Sequence, residues 1–86
     1  MAYSIEFTPA AQRQFKKLDK NTRRRIGHRI DALAENPRPD GVVKLTDVSP
    51  PLYRIREGDN RIVYAIEDGR LLVLVVRIAH RSDIYR

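Results

Sequence analysis

Hydrophobic and polar residues alternate through the last third of the chain, from Leu52 to Arg86. Runs rich in Ile, Val, Leu and Tyr are separated by the dipeptides Gly58-Asp59 and Asp68-Gly69. Both dipeptides are typical of two-residue hairpin loops, whose central residues need positive φ. The pattern therefore predicts three antiparallel strands that are joined by two tight turns.

The first turn predicts a pairing register for its two strands. A loop that holds only Gly58 and Asp59 puts Arg56 opposite Arg61 and Tyr53 opposite Tyr64. Because alternate residues of a strand point to opposite faces, one face is expected to be apolar and the other basic. The apolar face is predicted to carry Tyr53, Ile55, Ile62, Tyr64 and Ile66, and the basic face Arg54, Arg56 and Arg61.

The second turn extends this register to the last strand. A two-residue loop at Asp68-Gly69 puts Val75 opposite Ile62. In that register Ile78, His80 and Arg81 project past the end at which the first turn lies. The sequence thus predicts that the basic residues of separate strands meet at one end of the sheet.

Like charges that face each other destabilise a sheet, so Arg56 opposite Arg61, with Arg54 beside them, needs a reason. One reason is an anion that binds between them. The alternative is that long side chains cover a solvated sheet face, with Glu57 and Asp59 as nearby partners. Convergence of several arginines at one end favours a phosphate site. The arginines in this prediction are Arg54, Arg56, Arg61 and Arg81.

The first half of the chain reads as one strand followed by two helices. Tyr3–Phe7 alternates like a strand, and Thr8-Pro9 supplies an N-cap and a proline for a helix that runs to about Asp19. Asn21-Thr22 is expected to cap a second helix, which ends at Asn36-Pro37. The predicted apolar stripes are Ala11, Phe15 and Leu18 on the first helix and Ile26, Ile30, Leu33 and Ala34 on the second.

These elements together predict an α+β fold, in which an antiparallel helical hairpin packs on the apolar face of the sheet. The proline-rich stretch from Arg38 to Pro51 is expected to be a loop, with Leu45 in the core. Ser82 is placed to cap one short C-terminal helical turn. At 86 residues the chain has the length of a single domain, 1–86.

The net charge of +6 indicates a polyanionic partner such as RNA, DNA, a ribosome, an acidic protein or an anionic membrane. The chain has no cysteine, which excludes disulfides and cysteine nucleophiles, and no secretory signal or membrane span is evident, so a cytoplasmic protein is expected. A basic run on the helices is either a solvated surface or a nucleic-acid contact. The candidate nucleic-acid contacts are Lys16, Lys17, Lys20, Arg23, Arg24 and Lys44.

The chain resembles the RelE-like toxins of bacterial and archaeal toxin-antitoxin pairs over nearly its whole length. The segments that carry the resemblance are IEFTPAAQRQFKKL, ENP, YRIREGDNRIVY and LLVLVVRIAHRSDIYR. The resemblance implies a RelE-like fold, in which one strand is followed by two helices, three strands and a short C-terminal helix. It also implies an endoribonuclease that enters the aminoacyl site of a translating ribosome and cuts the messenger there.

The resemblance also implies roles for particular residues. Arg54 and Arg56 match the two basic residues of the family's second strand, and Arg61 matches the arginine that opens the third strand. Arg81 and Tyr85 match the arginine after the last strand and the terminal tyrosine. In well-known members a lysine of the second strand can act as a base, whereas arginine here keeps its proton, so the general base is unassigned.

Cleavage without a metal uses the neighbouring 2′-hydroxyl as nucleophile and leaves a 2′,3′-cyclic phosphate. It needs a base, positive charge for the developing phosphorane, and an acid for the leaving oxygen. The arginines suit the second task. His80 is the candidate for acid or base, with a purely structural role as the alternative. Tyr85 is a candidate for stacking on a base, and no metal or other cofactor is predicted.

Two other functions stay open at this point. The first is a non-enzymatic toxin of the related ParE type, which poisons DNA gyrase, and the second is a degenerate toxin that binds only its antitoxin. In each case the expected partner is an acidic, RelB-like antitoxin that wraps the basic surface. If the chain is a nuclease, the ribosome and messenger RNA are further expected partners. DNA is expected to be contacted only through the antitoxin complex, and no membrane partner is expected.

Overall fold

The computed structural model describes residues 2–45 and 50–80 of the chain. A single 3-10 turn, Asp68–Arg70, joins the last two strands. The α+β class and the helical hairpin are as predicted, while the predicted C-terminal helix lies outside the described residues. The elements are β1 (Ser4–Phe7), α1 (Pro9–Lys16), α2 (Lys20–Glu35), β2 (Val43–Lys44), β3 (Leu52–Glu57), β4 (Asn60–Glu67) and β5 (Leu72–His80).

The five strands form one mixed sheet in the order β1-β5-β4-β3-β2, and both helices pack on one face of it. β1 runs parallel to β5, and the other neighbours are antiparallel. The five residues that the alternation assigned to the apolar face are all buried, which confirms that prediction. The core joins them to the helix stripes and to β5, and comprises Ala11, Ile26, Ile30, Leu33, Tyr53, Ile55, Ile62, Tyr64, Ile66, Val73, Val75 and Ile78.

The first helix begins as predicted, but the second begins earlier. The Thr8 hydroxyl accepts a hydrogen bond from the backbone N–H of Ala11 at 3.2 Å, with Pro9 at the first helical position. The cap of α2 is Asp19, whose carboxylate accepts from the backbone N–H of Thr22 at 3.1 Å, so the prediction of an Asn21-Thr22 cap was wrong. A carboxylate at this position also interacts favourably with the helix dipole, which favours the earlier start.

The first hairpin has the predicted register, with Arg56 opposite Arg61 and Glu57 opposite Asn60. Gly58 takes a φ of 59°, whereas Asp59 is not among the described residues with positive φ. This is the pattern of a II′-type loop, in which only the first central residue needs positive φ. The glycine is therefore required by the turn that sets the register.

The second turn differs from the prediction, and it moves the last strand. The 3-10 turn and Leu71, which has a φ of 48°, lengthen the loop, so that Glu67 pairs with Leu72. An irregularity between Val63 and Tyr64 then shifts the register again, and Ile62 faces Ile78 rather than Val75. A bulge of this kind adds a residue to one strand and bends it. Local turn chemistry could not predict it, because the irregularity lies inside the strand pair and not at the turn.

The loop after α2 contains the short strand β2, which the sequence did not predict. Leu45 is 40% exposed, so the prediction that it enters the core was wrong. The N–H of Leu45 donates to the carbonyl of Leu52 at 2.7 Å, which holds the residue at the edge of the sheet. Val42 packs against the core instead. In the described ranges, no helix has both the length and the apolar character that crossing a membrane requires.

Candidate anion site on the outer sheet face

Three arginines of the β3-β4 hairpin lie on the sheet face that is turned away from the helices. Arg54 and Arg56 alternate with buried residues of β3, and Arg61 lies directly opposite Arg56 on β4. Together they line a cleft of about 460 Å³, which we call the arginine cleft. Its lining residues are Arg29, Asp40, Gly41, Val43, Arg54, Arg56 and Arg61.

The edge of the sheet shapes this cleft. β2 pairs with β3 at only two positions, Val43 with Arg54 and Lys44 with Tyr53. Beyond Arg54 the remaining residues of β3 therefore have no described strand on that side, and the guanidinium of Arg56 is exposed. Arg61 is half-buried and donates to the carbonyl of Asn60 at 3.4 Å. The cleft thus concentrates positive charge beside the part of β3 that follows its pairing with β2.

Arg29 is a cleft residue that the sequence did not assign to the site. It lies on α2, on the helix side of the sheet, and its Nε atom is 3.7 Å from a carboxylate oxygen of Glu57. The helical spacing contains a signal for this placement, because Arg29 follows buried Ile26 by three residues and precedes buried Leu33 by four. Such a position borders the stripe that packs on the sheet, so its long side chain can reach past the sheet edge.

The loop after α2 forms one wall of the cleft. The N–H of Val42 donates to the carbonyl of Pro39 at 3.2 Å, and Gly41, the third residue of this turn, has a φ of 85°. A type II turn needs positive φ at this position, which explains the glycine. Asp40 is the single acidic residue among the described residues that line the cleft. It offsets part of the charge of the arginines around it.

A cluster of three polar side chains fixes this loop to the end of the sheet at which the β4-β5 turn lies. We call this cluster, which consists of Tyr3, Arg38 and Asp68, the Asp68 clasp. Arg38 donates two hydrogen bonds to the carboxylate of Asp68, at 3.2 and 2.9 Å, and the Tyr3 hydroxyl donates a third at 2.6 Å. The bonds from Arg38, followed by the bond from Tyr3, hold the pKa of Asp68 below its usual range. The clasp joins β1, the loop and the β4-β5 turn.

Two tyrosines of the core support the same loop. The Tyr64 hydroxyl donates to the carbonyl of Pro37 at 2.7 Å, and burial raises the pKa of Tyr64 to about 12, so it remains a donor at neutral pH. The guanidinium of Arg38 lies 5.4 Å from the ring centre of Tyr53, which in turn stacks on Tyr64. The wall of the cleft is therefore anchored in the hydrophobic core.

Of the other predicted catalytic residues, only His80 is among the described residues, and it does not lie in this cleft. His80 pairs with Asn60 at the last position of β5, so alternation puts it on the face of Ile78 and opposite to the face of Arg61. The structure thus brings together Arg54, Arg56 and Arg61 but not His80. Arg81 and Tyr85 lie outside the described residues.

The basic residues predicted to contact nucleic acid are also separate from the cleft. Lys16 and Arg23 border a different, mainly apolar groove that Phe7, Gln12 and Phe15 line. Lys44 is exposed on β2 beside the cleft but does not line it. The remaining members, Lys17, Lys20 and Arg24, are exposed on the helices.

The chemistry of the cleft is that of an anion site. Guanidinium groups from two strands and one helix present planar donors that suit phosphate oxygens. In residues 2–45 and 50–80, no three side chains of the His, Cys, Asp or Glu type cluster as metal ligands would. The cleft can thus bind and stabilise negative charge, while a group that moves a proton has still to be assigned.

Fold and sequence comparisons agree on the class of protein that this architecture defines. The family model described as the ParE toxin of type II toxin-antitoxin systems matches residues 5–85. Toxin RelE of Mycobacterium tuberculosis is 34% identical over 85 residues, covering 98% of this chain and 87% of that protein. The mRNA interferase toxin RelE of Escherichia coli is 29% identical over 89 residues, covering 99% of this chain and 92% of that protein.

Comparison with solved structures indicates the same class of protein. The archaeal RelE in its RelE-RelB complex from Pyrococcus horikoshii superposes with a TM-score of 0.84 at 26% identity, covering 94% of this chain and 97% of that one. These findings define a small α+β toxin. The chain belongs to the ParE toxin family of type II toxin-antitoxin systems, within the RelE/ParE superfamily, and it is RelE-like.

Proposed function

We propose that this toxin is a metal-independent endoribonuclease that cuts messenger RNA on the ribosome and so inhibits translation. The observation that carries the proposal is the arginine cleft, in which Arg54, Arg56 and Arg61 face one space with Arg29. A pair of like charges across a hairpin is unfavourable, and an anion that binds between them would offset this cost. A phosphodiester linkage is the anion that the net charge of +6 and the family favour.

In the proposed reaction the arginines stabilise the phosphorane while the neighbouring 2′-hydroxyl attacks the phosphorus. The bond to the 5′ oxygen breaks, which leaves a 2′,3′-cyclic phosphate and a 5′-hydroxyl. Arg81 is expected to add a further positive charge, and Tyr85 to stack on a base. His80 remains the candidate acid or base, although its strand position favours approach from the opposite side of β5.

The name of the Escherichia coli relative, mRNA interferase toxin, supports the same activity. The relative from Pyrococcus horikoshii forms a RelE-RelB complex, and by analogy we propose an acidic, RelB-like antitoxin as the partner of this chain. The ribosome and its messenger complete the proposed set of partners. The basic helix residues, Lys16, Lys17, Lys20, Arg23 and Arg24, together with Lys44, are proposed to contact ribosomal RNA or the antitoxin.

The test adds purified toxin to a translation extract and maps the ends of the messenger. We expect cuts within translated codons that end in cyclic phosphate, and a loss of about 100-fold or more in rate for Arg61→Ala, because it removes a group that stabilises the transition state. Arg70→Ala is the matched control, since Arg70 is an exposed arginine at the opposite end of β4. Arg81→Ala should also abolish cutting. Intact messenger from a correctly folded toxin would defeat the proposal.

A ParE-type toxin that poisons DNA gyrase is the second candidate, because the family model that matches residues 5–85 is that of a ParE toxin. A supercoiling assay with purified gyrase separates the two functions. Inhibition of supercoiling with uncut messenger would favour the ParE type. A toxin that is inactive in both assays but binds its antitoxin would be a degenerate member.

A further inference from the structure

The last residues of β5 extend beyond the end of β1. Phe7 pairs with Val75 at the final position of the parallel ladder, after which the chain turns into α1. On the other side, β4 follows β5 to the last pair, Asn60 with His80. From residue 76 to residue 80, β5 therefore has no described strand on the β1 side.

Two side chains occupy this edge instead, that of Thr8, which caps α1, and that of Gln14 in the last turn of α1. The Thr8 hydroxyl donates to the carbonyl of Val76 at 3.2 Å, and the side-chain oxygen of Gln14 accepts from the backbone N–H of Ile78 at 2.8 Å. Backbone groups two residues apart point to the same edge of a strand, as they would towards a neighbouring strand. Thr8 and Gln14 thus take the place of the missing strand.

The position of the Gln14 bond is significant because it follows the bulge. The register of β4 and β5 shifts between Val63 and Tyr64, where the regular ladder is interrupted. A bulge changes the direction of a strand, so the contacts that follow it, which are the pairs with β4 from Arg77 onward and the Gln14 bond, determine where the strand continues. Ile78 is only 4% exposed, and a buried N–H without an acceptor is strongly unfavourable. Gln14 supplies that acceptor.

We infer that Gln14 is a positioning residue of this toxin. It ties the end of β5 to α1, on the edge away from β4, and it thereby fixes His80, the last residue of the strand. The inference rests on the proposed function, in which His80 is the candidate acid or base. Gln14 itself contacts only the backbone of β5 and is not proposed to touch RNA.

The experiment compares three variants of the full chain. Gln14→Met keeps the length of the side chain but removes the oxygen, and Gln14→Glu restores an acceptor at the same place. Asn21→Met is the matched control, since Asn21 is an exposed amide side chain on α2. Hydrogen exchange of the Ile78 amide, thermal stability, and the kcat and KM of cleavage in the translation extract are measured for each.

For Gln14→Met we expect exchange of the Ile78 amide to accelerate about tenfold, the usual scale for the loss of one backbone hydrogen bond. We expect kcat to fall by a similar factor while KM changes little, and Gln14→Glu to restore both. Unchanged exchange would overturn the inference, as would faster exchange with unchanged kcat. If the wild-type chain does not cut messenger, the proposed function fails, whereas exchange at Ile78 still shows whether Gln14 holds the strand.

Discussion

At the scale of single residues, the arginine pair of the first hairpin combines a structural cost with a proposed function. Arg56 and Arg61 face each other across β3 and β4, and both line the arginine cleft. The glycine-containing turn and the alternation predicted this pair from the sequence alone. Arg29 was missed because its contribution depends on where α2 crosses the edge of the sheet, which a one-dimensional pattern does not contain.

Removing one member of the pair should stabilise the fold while it weakens the site. We expect Arg56→Thr to raise the free energy of unfolding by about 0.2–1 kcal/mol, because like charges opposite each other destabilise a sheet. Urea unfolding measures this change. Arg77→Thr is the control, since Arg77 lies opposite uncharged Val63. If the free energy of unfolding rises equally in both variants, the effect comes from the introduced threonine and not from the removal of charge.

At the scale of elements, the contacts between loops and strands decide how the cleft is built. The Asp68 clasp connects β1, the loop after α2 and the β4-β5 turn, which are far apart in sequence. Nothing in the local sequence identifies Arg38 or Asp68 as partners. The first hairpin, in contrast, was predicted with its register, because a two-residue loop leaves only one way to pair its strands.

The clasp should make stability depend on pH in the acidic range. The pKa of Asp68 is lowered from 3.8 in the folded state, so its contribution is complete above 3.8 and is lost as the pH falls through the lower, folded value. We expect Asp68→Asn to be less stable than wild type near neutral pH and to lose less stability between about pH 5 and pH 2. Thermal unfolding at each pH measures this difference. Asp31→Asn, an exposed change on α2, should behave like wild type.

The glycine of the first turn should be more sensitive than the glycine of the second. Gly58 has a φ of 59°, where a Cβ atom is strained, so Gly58→Ala is expected to cost about 1 kcal/mol in the free energy of unfolding. Gly69 is not among the positive-φ residues, and a Cβ there meets open space. Gly69→Ala should therefore be neutral or slightly stabilising. Equal losses by urea unfolding would contradict this assignment of the turns.

At the scale of the whole molecule, the net charge of +6 governs encounters with partners. The arginine cleft and the apolar groove beside Lys16 and Arg23 are separate regions. The two proposed partners, RNA and an acidic antitoxin, thus have different parts of the surface available to them. The sequence predicted a basic sheet site and a basic run on the helices, and the packing of the helices decided which of these residues line each region.

Association with the proposed antitoxin should be steered by charge. We expect the association rate to fall steeply as ionic strength rises from ~0.05 to ~0.5 M, because salt screens charges beyond a few ångströms. Dissociation should change much less. Stopped-flow mixing of the purified pair measures both rates. An association rate that does not depend on salt would show that charge steering is unimportant for this pair.

By itself, the sequence determined the α+β class, the β3-β4 register, the apolar sheet face and the arginines beside the first turn. These features follow from alternation, helical spacing and turn chemistry, which act over a few neighbouring residues. Only the tertiary structure decided the β5 register, the strand β2 and the addition of Arg29 and Asp40 to the cleft. Each of these depends on side chains and backbone groups that meet only after distant segments pack.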